Sequence, residues 1–161
     1  MTIALYVVGI NWGVPFVASL LFMGWLLYVS HDIKFEGTVW FWKVFPAYRF
    51  RLVSRKSWYA RAWEKFYGQS MFLSMIHRDE PGRWDDPEVE ETIVHELRHV
   101  VVLLMLGLLM WILYGLHYAW LALFTQRDPY EENWFERDAE RAVQRWVYRG
   151  RPRIFTFGRR Q

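Results

Sequence analysis

The sequence predicts a mainly helical α+β domain with a small antiparallel β part, set behind an N-terminal transmembrane helix. Three observations carry this expectation. Residues Ile3 to Val29 hold no charged side chain, a length that spans a hydrocarbon core of about 30 Å. Tyr48, Phe50 and Leu52 alternate with Arg49 and Arg51, the period of a strand with one apolar and one basic face. Two later stretches, opening near Pro87 and near Asn133, carry apolar residues at helical spacing.

The length, 161 residues, suits one domain. The chain is 53% hydrophobic and 20% aromatic, with 11 Trp, a balance that points to a membrane rather than to a soluble globule. It has no Cys, which excludes a disulfide framework and a thiolate metal site. The chain divides into an anchor (1–33), a compact domain (34–147) and a basic tail (148–161).

In the anchor, Gly9, Gly13, Pro15 and Gly24 interrupt the apolar run, which a membrane helix tolerates. Trp25 and Tyr28 suit an interface, whereas Trp12 suits a simple span poorly. No basic stretch precedes the run, which argues against a cleavable signal. Lys34, Arg49, Arg51, Arg55 and Lys56 follow it, so the positive-inside rule places the rest on the cytoplasmic or virion-interior side.

Residues 39–45 and 48–53 have strand character, separated by Pro46. Ser57 to Tyr67 reads as a helix stopped by Gly68. Ser70 to His77 reads as one strand, closed by the turn Asp79-Glu80-Pro81-Gly82. That strand is the candidate for binding an extended peptide by strand addition. His77 lacks a histidine four residues away and reads as a surface or core residue rather than a ligand.

The chemistry concentrates in Glu91-Thr92-Ile93-Val94-His95-Glu96-Leu97-Arg98-His99, which contains H-E-x-x-H. Positions i and i+4 share a helix face, so His95 and His99 can reach one metal ion. Zn²⁺ is the expected metal, with Glu96 as the general base that takes a proton from water. Asp85 and Glu88 form a capping-box pattern around Pro87, and Gly107 is a candidate stop. The five-residue pattern is unspecific by itself, because catalytic zinc needs a third protein ligand. The candidate is Glu136, near the start of an amphipathic helix with Asn133 as N-cap. Glu140, one turn on, is placed to hold a ligand histidine through its second ring nitrogen.

This assignment makes a demand on the chain between. Val100 to Gln126 holds no Asp, Glu, Lys or Arg. A continuous helix from His99 to Phe124 would be about 37 Å long and would leave Glu136 across a bilayer from His95. Either Glu136 is remote, or the chain turns near Gly107 into a second apolar helix over about Leu109 to Phe124. The second arrangement is preferred, with the two helices free to dip into lipid as a re-entrant hairpin. Tyr114, His117 and Tyr118 are then candidates to line the site and stabilise an oxyanion, with ordinary packing as the competing role.

Residues Glu91 to Val100, taken with Asn133-Trp134-Phe135-Glu136-Arg137-Asp138-Ala139, resemble the small zincin-like metallopeptidase domains common in bacteriophage genomes. The resemblance covers roughly Ser57 to Trp146. It implies a gluzincin-like site in which His95, His99 and Glu136 bind Zn²⁺, and a peptide or protein substrate. The family usually has proline where this chain has Trp134, and a polar residue where it has Val100 to Leu103. A second expectation of a different class is a structural protein of a phage virion membrane or ejection assembly, using the scaffold without catalysis. The tail carries Arg141, Arg145, Arg149, Arg151 and Arg153, then Arg159 and Arg160. Contact with anionic lipid of the bilayer is the expected role. Nucleic acid is set aside because no recognised nucleic-acid fold accompanies the charge.

Overall fold

An apolar helix, α1 (Gly9–Val29), leads the ordered elements of the computed structural model, which describes residues 9–41, 45–62, 68–71, 73–77 and 87–157. Its 21 residues rise about 32 Å, long and apolar enough to cross a membrane. Pro15 stands at the second position of the α-helical middle, Val14–Gly24, directly after a π-helical turn. π-helical turns flank that middle at Gly9–Gly13 and Trp25–Val29. Leu20, Leu21, Tyr28 and Val29 are exposed, while Met23 and Leu26 pack on Ile33, Tyr59 and Ile76. α1 is therefore docked on the domain along one side.

The sheet contains β1 (Ile33–Phe41), β2 (Phe45–Leu52), β3 (Gly68–Met71), β4 (Ser74–His77) and β5 (Phe155–Phe157), in the order β3-β4-β2-β1-β5. It corrects the antiparallel expectation: β2 and β4 run parallel, so the sheet is mixed. The reason is local. The single strand expected over Ser70 to His77 is a hairpin of β3 and β4 turning at Leu73, and its return limb lies beside β2 in the same direction. The short helix α2 (Trp58–Ala62) lies on the crossover from β2 to that hairpin. Gly68 opens β3; the expected helix is present over Trp58–Ala62, and residues 63–67, where it would end, lie outside the described residues. Pro46 is also not a separator. It lies near the start of β2, opposite Trp40, where a missing donor is tolerated. Asp85 and the turn Asp79 to Gly82 lie outside the described residues.

Asp32 fastens the α1–β1 junction to the end of β2. Its buried carboxylate accepts hydrogen bonds from the Ser54 hydroxyl and from the Lys56 and Ser57 N–H groups at 2.9 and 3.0 Å. Its carbonyl accepts from Val53 N–H at 2.7 Å. Burial works to raise the carboxyl pKa, but the hydrogen bonds, from Ser54 and Ser57 first, take it from 3.8 down to about 2.

Helix α3 (Pro87–Leu106) buries Val89, Ile93, Val94 and Leu97 against the sheet and against Val143 and Trp146 of α5 (Trp134–Tyr148). Between them runs α4 (Leu108–Phe124). The chain turns at Gly107, with φ 59° and ψ −136°, and the α3 and α4 axes are bent by 115°. Only glycine takes this backbone without strain, and a Cβ there would meet the Asn11 side chain at 2.8 Å and its carbonyl closer still. Asn11 serves both helices at the turn. It donates to Leu106 O at 3.0 Å and accepts from Leu109 N–H at 3.2 Å, satisfying groups that helix ends leave open. Trp12 donates to Leu104 O at 2.9 Å. The straight membrane helix from Glu91 to Phe124 is excluded.

The described part of the basic segment, 148–157, packs on the domain, and residues 158–161 lie outside the described residues. β5 pairs with β1, Trp146 donates to Pro152 O at 2.7 Å, and Arg151 pairs with Glu91 at 2.5 Å. The sheet, not a tail, is where residues 155–157 belong.

Candidate metal centre

Two local signals place the three ligand candidates. The i, i+4 spacing on α3 puts His95 and His99 on one face. At the start of α5, Asn133 takes extended geometry and its side chain accepts from Phe135 N–H at 3.2 Å. The same side chain donates to Tyr114 O at 3.2 Å, which ties the start of α5 to α4. Because α4 folds back at Gly107, the first turn of α5 returns to α3 and brings Glu136 to the histidines.

The three side chains converge on one small triangle. His95 Nε2 lies 3.1 Å from His99 Nε2 and 3.1 Å from Glu136 Oε2, and His99 Nε2 lies 3.4 Å from the same oxygen. Tetrahedral ligands at zinc distances stand about 3.3 Å apart. A triangle with these sides has a circumradius of about 1.85 Å, so a point about 2.05 Å from all three atoms lies about 0.9 Å off its plane. The donor set, two imidazole nitrogens and a carboxylate oxygen, is one that a borderline cation such as Zn²⁺ prefers. The residues therefore fit a metal ion at this point.

Tyrosines hold Glu136 from behind. Tyr114 Oη donates to Glu136 Oε1 at 3.0 Å, leaving Oε2 for the histidine side. The Tyr130 hydroxyl also bonds Glu136, and burial together with the Glu136 charge pushes that phenol up, so it remains a donor. Tyr130 went unrecognised in the sequence because it sits in a link that carries no motif. Its one signal is position, just ahead of the Asn133 cap.

Glu96 faces the same cleft without joining the triangle. It is buried, it has a hydrogen bond to Ser70, and its Oε2 has no hydrogen-bond partner among the described residues. The backbone of β3 lies directly on it: a Cβ on Gly68 would stand 2.7 Å from Glu96 Oε1. Burial pushes the Glu96 carboxyl up, against the pull of His99 and His95. Glu136 behaves in the opposite way. Burial would raise it, but hydrogen bonds and charge from His95 and His99 hold it well below the usual carboxylate range. Burial pulls the His95 imidazole down, yet the Glu136 bond and the charges of Glu96, Glu136 and Glu140 carry it above its ordinary value. The two carboxyls of one site are thus pushed in opposite directions.

The remaining candidates fall differently. Glu140 is exposed and bonded by Gln144 Nε2 at 3.2 Å. Among the described residues no hydrogen bond joins it to a histidine, and it reaches His95 only as charge. Of the three α4 candidates only Tyr114 touches a ligand residue. His117 accepts from Trp134 N–H at 3.2 Å and stacks on that indole at 4.1 Å, which gives Trp134 a packing role of its own. Tyr118 is exposed. His77 is a core residue, bonded by Arg49 Nε at 2.6 Å with Glu36 nearby. Arg98, lying between the two histidines in sequence, joins α3 to α5 through Asp138 at 2.6 Å.

A cleft of about 230 Å³ opens beside the triangle, walled by Gly68 and Ser70 of β3, by Glu96 and His99, and by Trp111 and Tyr114 of α4. No family model, no curated protein and no solved structure matches this chain.

Proposed function

We propose that the protein is a membrane-anchored zinc metallopeptidase, with the sheet end of α1 on the cytoplasmic or virion-interior side. The observation that carries this reading is the meeting of three ligand atoms with a buried, half-unpartnered Glu96 at the edge of a sheet. His95, His99 and Glu136 hold the ion, and Tyr114 and Tyr130 orient Glu136. Zn²⁺, when bound, supplies a Lewis acid that polarises a peptide carbonyl and acidifies water. Glu96 takes the proton of the attacking water and passes it to the leaving amine, a task suited by its place in the cleft and an Oε2 with no hydrogen-bond partner among the described residues. β3 ends the sheet and offers its backbone to an extended substrate.

The test pairs metal analysis with hydrolysis. Full-length protein and its Glu96→Gln variant should both hold stoichiometric zinc, and only the former should hydrolyse peptides. Protein that binds no divalent metal when zinc is supplied would sink the reading.

A further inference from the structure

The helix that walls the metal cleft also exposes much of its apolar surface. On α4, Met110 and Leu121 are buried and Tyr114 faces Glu136. The opposite face carries Leu109, Ile112, Leu116 and Leu123, which are 45%, 49%, 65% and 75% exposed. These positions repeat at helical spacing, so they form one continuous stripe. Trp111 stands between the two faces: it lines the cleft and is itself exposed. Water does not stabilise such a stripe, and a contiguous exposed apolar surface marks an interaction site.

The structure also indicates what covers it. The stripe starts at the Gly107 turn, where Asn11 and Trp12 of α1 bond both sides of the hinge. α1 is the helix able to cross a membrane, and its own outer face is apolar, with Ile10, Val14, Val17 and Leu20 exposed. The two surfaces are joined at one point. Trp120 and Tyr118 add the aromatic residues that favour the headgroup boundary. Lipid that surrounds α1 therefore continues onto α4.

We infer that the metal cleft opens at the lipid surface and takes extended peptide segments that directly flank a membrane helix. The inference rests on the metallopeptidase reading and adds the substrate class. An extended segment added to β3 alternates its side chains, one set turned toward the opposite cleft wall. That wall is Met110, Trp111 and Tyr114, so apolar and aromatic side chains are preferred there. The segment reaches the cleft past Trp111, along the face of α4 that lipid covers. A soluble peptide must first arrive at the membrane, whereas a segment next to a membrane helix is already in place.

Two measurements on the full chain test this. The chain has no Cys, so a single cysteine at Leu116, Leu123 or Arg141 takes one nitroxide label in vesicles. The labels on α4 should be reached by dissolved oxygen and shielded from a water-soluble nickel chelate, and the label at Arg141 on α5 should show the reverse. Equal access of the chelate to all three overturns the inference. The second measurement uses the zinc-loaded Glu96→Gln protein with a benzophenone-bearing peptide fused to a transmembrane helix, either directly or through a flexible linker of about 25 residues, reaching roughly 25–30 Å. Both reporters are then equally concentrated on the vesicle. The directly fused peptide should crosslink to β3 and α4 about tenfold more than the long-linker one. Equal or greater capture of the long-linker peptide overturns the inference, as does capture of neither. If capture favours the short form but wild-type zinc-loaded protein leaves it intact, the hydrolytic reading fails while the lipid-facing cleft stands.

Discussion

Gly68→Ala tests whether Glu96 is a base held in place by strand β3. An ideal Cβ at this position stands 2.7 Å from Glu96 Oε1 and 3.1 Å from both Cγ and Cδ. Carbon atoms at optimal separation stand about 3.5–4.0 Å apart, so the carboxylate must retreat by roughly 0.4–0.9 Å or β3 must lift. A reacting group misplaced by about 1 Å loses on the order of 10²-fold in rate, equivalent to about 2.7 kcal/mol of transition-state stabilisation. The ligand triangle should stay in place, because the three nearest atoms to a Gly68 Cβ belong to Glu96 and none to a ligand residue. The assay is done in proteoliposomes, with zinc affinity by chelator competition and turnover on a fluorogenic membrane-apposed peptide. Affinity should be unchanged and turnover should fall about a hundredfold. Full activity would refute the placement of Glu96 as base against β3. Loss of zinc would refute the separation of base from ligands.

Three further outcomes follow from the same structure. Gly107→Ala forces an L side chain into φ 59°, ψ −136° against Asn11, and backbone strain alone should destabilise the protein by about 1–3 kcal/mol, read as a lower denaturation midpoint in detergent. An unchanged midpoint would contradict the hinge. Tyr114→Phe removes the donor to Glu136 Oε1 and should weaken zinc binding about tenfold without unfolding the protein, measured by chelator competition. Asp32 has a folded pKa depressed from 3.8 to about 2, so its stabilisation is complete above pH 3.8 and is lost as pH falls through 2. That loss amounts to about 2 kcal/mol, and Asp32→Asn should flatten this part of the midpoint-versus-pH curve. A variant curve parallel to wild type between pH 4 and 2 would show that Asp32 is not the group responsible.

What was legible in the sequence was what local rules write. Helical spacing around His95 and His99, the Asn133 cap and the glycine at 107 each state a backbone conformation within a few residues. The hairpin of β3 and β4 was not legible, because Met71, Phe72, Leu73 and Ser74 include no glycine, proline or asparagine to mark a turn. Its parallel pairing with β2 is a long-range choice that no strand pattern encodes. β5 was hidden by the arginines around it: Phe155 to Phe157 is too short to show a period, and pairing with β1 makes it a strand. Tyr130 was missed for a different reason. In a chain with 20% aromatic residues, one more tyrosine carries no information until a carboxylate is found beside it.

The requirement for a third ligand forced a turn at Gly107, but it left open how a turn survives in so apolar a stretch. A helix that ends within or beside lipid leaves carbonyl and N–H groups that no water reaches, each worth several kcal/mol if unpaired. Glycine supplies the backbone angles and cannot supply the missing partners. Asn11 does: its amide serves the carbonyl end of α3 and its oxygen serves the first turn of α4. Trp12 takes one more carbonyl at Leu104. These are the residues that fit a simple membrane span least well. Their polarity belongs to the turn that carries the cleft wall and returns Glu136 to His95 and His99. α1 is thereby part of the scaffold of the candidate metal centre, and an apolar helix without Asn11 would leave that turn unsatisfied.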